Sequence, residues 1–96
     1  MASLSFYRRC FLNRRGQHGG AFVLADLHLE KYVADDQPLH DVAAFVTIAD
    51  CSRVVSLDFD VHTVVDAQNA LHKARVLRRV INEFVDALER AVADRG

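Results

Sequence analysis

The stretch Leu57-Asp58-Phe59-Asp60-Val61-His62-Thr63 sets two carboxylates and an imidazole at alternate positions. In extended chain, alternate residues share a side, so Asp58, Asp60 and His62 point together, opposite Leu57, Phe59 and Val61. A second ladder, Asp26, His28 and Glu30, alternates with Leu27 and Leu29. Oxygen and imidazole donors of this kind suit Zn²⁺, Mn²⁺ or Mg²⁺. To bind one ion the ladders must converge, because same-face neighbours along one strand lie ~6.6–7 Å apart. If a strand separates the ladders, the gap is roughly 9–10 Å, crossed over Ala43, Phe45, Thr47 and Ala49. The favoured reading is therefore the wet side of two strands, with His62 and Asp66 available for capping and local hydrogen bonds at a helix start.

Other chemistry is weaker still. Ser52 and Ser56 sit in no G-x-S-x-G. Cys10 beside Arg8 and Arg9 has the neighbours of an activated thiol, but its position on an apolar face predicts an inert, buried one. Arg14-Arg15-Gly16-Gln17-His18-Gly19-Gly20 lacks the G-K-[ST] of a phosphate loop and is followed by a strand, so it reads as a hairpin tip. His40 and His72 are scattered. Neither a catalytic constellation nor a cofactor is expected.

The elements that would position these groups begin with the C-terminal third. Ala67, Ala70, Leu71, Ala74, Leu77, Ile81, Phe84, Leu88 and Val92 recur at spacings of three and four, which predicts one amphipathic helix over 64–94. Thr63 with Asp66 fits an N-cap with an acid at the third helical position. At ~1.5 Å per residue the helix would be roughly 45 Å long, longer than a small sheet is wide. One end should therefore project, and its apolar residues need a partner. Leu77, Ile81, Phe84 and Leu88 are the expected anchors on the sheet.

Upstream the period is two. Strands are expected at about 3–12, 21–33, 42–49 and 54–61, with Asp35-Asp36-Gln37-Pro38 as a break and Asp50-Cys51-Ser52-Arg53 as a hairpin turn. The fold class is α+β. A four-stranded antiparallel sheet in β-β-β-β-α order carries the long C-terminal helix packed on one face.

The other face is not cleanly polar. Tyr7, Phe11, Phe22, Leu24, Tyr32 and Phe45 fall there, more apolar than a wet face should be. Such a patch marks an interface. A homodimer is the first expectation, and another protein partner the second. The alternative is single-stranded nucleic acid, with the aromatics stacking on bases and Arg9, Arg14, Arg15, Arg75 and Arg79 holding phosphates. Asp26, Glu30, Asp58 and Asp60 on the same face would repel that backbone.

Composition supports these limits. The 96 residues are 51% apolar and 26% charged, with net charge −1. That is one small domain with no global attraction to nucleic acid. No apolar run reaches the ~20 residues that span a bilayer. Cys10 and Cys51 form no C-x-x-C and are expected to be reduced thiols of a cytoplasmic protein. The first 25 residues hold Arg8, Arg9, Arg14 and Arg15 without an acid. That is also a transit-peptide composition, though a basic first hairpin is favoured. Abundant Ala, Val, Asp and Arg suggest a GC-rich bacterial or phage genome.

Overall fold

The computed structural model describes residues 4–17 and 19–96. Its elements are β1 (Ser5–Phe11), β2 (Phe22–Ala34), β3 (Gln37–Asp50), β4 (Arg53–Asp58) and α1 (Val64–Asp94). The strands form one antiparallel meander in the order β1-β2-β3-β4. The α+β class, the antiparallel four-stranded sheet and the helix are as the sequence predicts; the order of the strands across the sheet, which the sequence leaves open, is that of a simple meander. Residue 3 of the first expected strand and His18 of the glycine-rich tip lie outside the described residues.

β3 starts at Gln37, well before the expected position 42. The reason is a two-residue turn. Asp35 and Asp36 both have positive φ (52° and 60°), the signature of a type I′ hairpin, and Ala34 pairs with Gln37 directly across it. Pro38 is tolerated by alternation. Val42 N–H donates toward Val61 on the β4 side, and Pro38 has the same parity. Its missing N–H therefore falls on an edge that β4 does not reach, where a proline costs no ladder bond. A left-handed conformation is unfavourable for two successive L-residues. Asp36→Gly should therefore stabilise the fold by about 0.5 kcal/mol, the left-handed strain relieved less the entropy of glycine. A shift of the urea midpoint at constant slope would show it.

The register fixes the two faces. Phe6, Leu27 and Ala44 lie in one row, and Phe59 N–H donates to the Ala44 carbonyl at 2.9 Å. The first face thus carries Phe6, Ala25, Leu27, Val42, Ala44, Val46, Phe59 and Val61, and α1 lies over it. The helix stands off, however. Among described residues none of α1 is buried, and the only buried apolar side chains are Ala21, Ala44 and Ala49. An open apolar groove of about 690 Å³ runs between α1 and the sheet. The helix side contributes Ala67, Ala70, Leu71, Ala74, Leu77 and Ile81. Alanines face alanines here, Ala67, Ala70 and Ala74 over Ala25 and Ala44, so the facing surfaces do not fill the space between them. Leu77 and Ile81 line the groove as expected. Phe84 and Leu88 do not, because the helix has by then passed its end. They are 59% and 48% exposed. The molecule is 65 Å long and 25 Å across, with the last turns of α1 projecting.

Candidate functional site

The β4–α1 corner gathers the polar residues of the opening stretch, and most have backbone work to do. Asp60 accepts from Ala44 N–H at 2.7 Å. It takes the place of the Phe59 carbonyl just where β4 leaves the ladder, keeping a central-strand donor satisfied. Asp58 accepts from Asp60 N–H at 2.7 Å. Thr63 is the N-cap of α1: its hydroxyl accepts from Asp66 N–H, and the Asp66 carboxylate accepts from the N–H groups of Thr63 and His62. This reciprocal capping box satisfies donors that would otherwise be orphaned at the helix start.

His62 turns its ring to β3. Nδ1 lies 2.9 Å from Asp41 Oδ1. Tyr32 Oη donates to the same oxygen at 3.4 Å and sits 3.3 Å from the imidazole nitrogen. Asp41 is thus shared between two strands and the corner. The hydrogen bond to Asp41, and then its charge, raise the pKa of His62 above the ordinary imidazole value. Backbone donation from Thr63 and His62 lowers that of Asp66. Loss of solvent, followed by the Asp41 charge, raises that of Tyr32. The two corner groups act in opposite pH windows. Stability linked to His62 is full below its unfolded pKa and lost as pH rises through the folded one. Stability linked to Asp66 is present above its unfolded pKa and lost as pH falls through the folded one. In an NMR titration, Asp41→Asn should return His62 to ordinary imidazole behaviour. An unmoved midpoint would mean that Asp41 does not set it.

The second ladder remains on β2. His28 Nε2 is 3.0 Å from Glu30 Oε1, and Nδ1 is 3.8 Å from Asp26 Oδ1. Asp26 and Asp58 share one cross-strand row with Phe45 between them. The near ends of the two ladders, Glu30 on one side and Asp60 and His62 on the other, line one small cleft with Asp41 and Asp66, but among described residues no three His, Cys, Asp or Glu side chains lie together closely enough to hold a metal ion.

The second face of the sheet bears the expected aromatics. Tyr7, Phe11 and Phe45 are exposed, whereas Phe22, Leu24 and Tyr32 are half-buried. The Arg9 guanidinium lies 5.2 Å and 4.9 Å from the ring centres of Phe11 and Phe22. Each of these rings thus has a cation from within the chain against one face. The five arginines considered for phosphate do not form one surface. Arg9 belongs to the second face, Arg14 and Arg15 to the loop before β2, and Arg75 and Arg79 to a helix that lies over the first face. Cys10 and Cys51 are free thiols, and both are exposed. The burial expected for Cys10 fails because its end of the first face extends past the helix.

Two features escape a reading by periodicity. One is Lys73, whose Nζ donates to the Asp58 carbonyl at 2.6 Å and lies 5.0 Å from the centre of the Phe59 ring. It tethers α1 to β4, and a lysine beside an alanine stripe was its only trace. The other is the groove, whose signal was the run of alanines on both facing surfaces. Among described residues no helix is long and apolar enough to cross a membrane. No family model matches the chain, and neither a curated protein nor a solved structure matches it.

Proposed function

We propose that this chain is a small non-enzymatic interaction module that works as a homodimer and presents the second face of its sheet to another protein. One observation carries the reading: the single chain has too much surface and too little core. Its accessible surface is 8150 Å², against about 5500 Å² for a compact chain of this mass. Its radius of gyration is 17.7 Å, against about 12.5 Å for a compact domain of this length. The excess, about 2600 Å² per chain or about 5200 Å² for two, lies at the upper end of what obligate dimers bury, ~2000–5000 Å² and more over both partners. Net charge near zero lets two copies approach without global repulsion. The titratable groups at the corner are engaged in capping and ladder bonds, which favours a structural role for them. Two exposed free thiols suit the reducing cytoplasm.

The test is mass in solution by light scattering, repeated with Zn²⁺ and Mn²⁺. A metal-independent dimer is expected. A monomer whose stability responds to metal alone would overturn the reading and return attention to Asp58, Asp60 and His62.

A further inference from the structure

The groove and the projecting end of α1 are two unpartnered apolar features, and they sit at opposite ends of one helix. Beyond Asn82, the last residue to line the groove, Phe84, Val85, Leu88 and Val92 continue the apolar stripe, all exposed. The charges on α1 divide at the same place. From Val64 to Ile81, Asp66 stands against Lys73, Arg75, Arg78 and Arg79, a net of +3. From Asn82 to Asp94, Glu83, Asp86, Glu89 and Asp94 stand against Arg90, a net of −3. This is the wrong way round for an isolated helix, whose dipole favours acids at the start and bases at the end. The last turn carries no base at all. Arg78 and Asp26 are the charged residues that line the groove itself, and on the sheet side Arg8 adds a base over Phe6, 5.6 Å from its ring centre. An apolar acidic segment and an apolar groove walled by the basic half of α1 are complementary to each other, but the helix is straight and cannot fold back on itself.

We propose that the projecting end of α1 seats its apolar stripe in the groove of a second copy, and that the second copy does the same in return, with the acidic half of each helix against the basic half of the other. The arrangement is two-fold symmetric and closes. It rests on the dimer reading and names the dimer's interface. It accounts for the groove, the surface excess and the inverted charge order together.

The test uses three samples of the full chain. The first is unaltered. The second carries Glu83→Lys, Asp86→Lys and Glu89→Lys. The third carries Arg75→Glu, Arg78→Glu and Arg79→Glu. Each variant alone has two like-charged helix halves and should dimerise at least about tenfold more weakly than the unaltered chain, since juxtaposed like charges disfavour docking. An equimolar mixture restores opposite charges at both contacts, so it should form a heterodimer with the original affinity. Far-UV circular dichroism follows folding in the same samples. Recovery on mixing supports the proposal, and failure to recover overturns it, whether or not the separate variants fold. If each variant alone dimerises as tightly as the unaltered chain, the dimer stands but its interface lies elsewhere. If the unaltered chain is a monomer at all concentrations, with or without a small apolar molecule bound in the groove, the dimer reading falls as well.

Discussion

The thermal midpoint of this protein should rise with its own concentration. If the apolar surface left bare on one chain is covered by another, folding and association are one equilibrium, and stability is inseparable from protomer concentration. A tenfold increase then adds about 1.4 kcal/mol per dimer, or about 0.7 kcal/mol per chain. For a domain of this length that corresponds to roughly 3–6 °C in the midpoint. A concentration series by calorimetry or circular dichroism reads it directly. A midpoint that stays constant over two decades would mean that the single chain is stable with its groove open.

The second large effect is expected at Ala44. It lies at the centre of the sheet, 6% exposed, and lines the groove. Its N–H donates to the Asp60 carboxylate. Ala44→Asp would place a carboxylate on the apolar first face, among the residues that line the groove, where the new charge gains no compensation. A cost of about 3–5 kcal/mol is expected, a large share of the stability of a small domain. Val54→Asp, on an exposed position of the second face, should cost less than about 1 kcal/mol, mostly through strand preference. Denaturant unfolding of the two variants side by side makes the comparison. Equal losses would mean that the first face is no more apolar in its working state than the second.

How much of this could be read from the residues depends on how local each feature is. Thr63 and Asp66 define the start of α1 through a bond pattern confined to four residues, and the structure has that capping box. The alternation from Val55 to Val61 sorts β4 into its faces in the same way. Pro38 misleads, because a proline breaks a strand only where its N–H was needed, and that depends on where the neighbouring strand ends. Phe84 and Leu88 mislead for a related reason. Periodicity states which direction a side chain takes from the helix axis, but not whether anything lies in that direction. Distance was equally hidden. Ala67, Ala70 and Ala74 keep the apolar phase of the stripe yet supply little volume, so the groove appears only when the opposing alanines are placed across from them. The pairing of His62 with Asp41 joins positions far apart in sequence and depends on the register set by the turn at Asp35 and Asp36.

The meander also has a kinetic meaning. Every strand pairs only with its neighbours in sequence, and two of the three connections are two-residue turns. Loops this short close quickly, and contacts of low sequence separation favour fast folding. The sheet can therefore assemble as a first-order event within one chain. In the proposed dimer, burial of α1 would need a second chain and would be second-order, with a rate set by encounter. Between the two steps the nascent molecule would carry a formed sheet and an uncovered apolar groove, and the lifetime of that species would shorten as the protein accumulates.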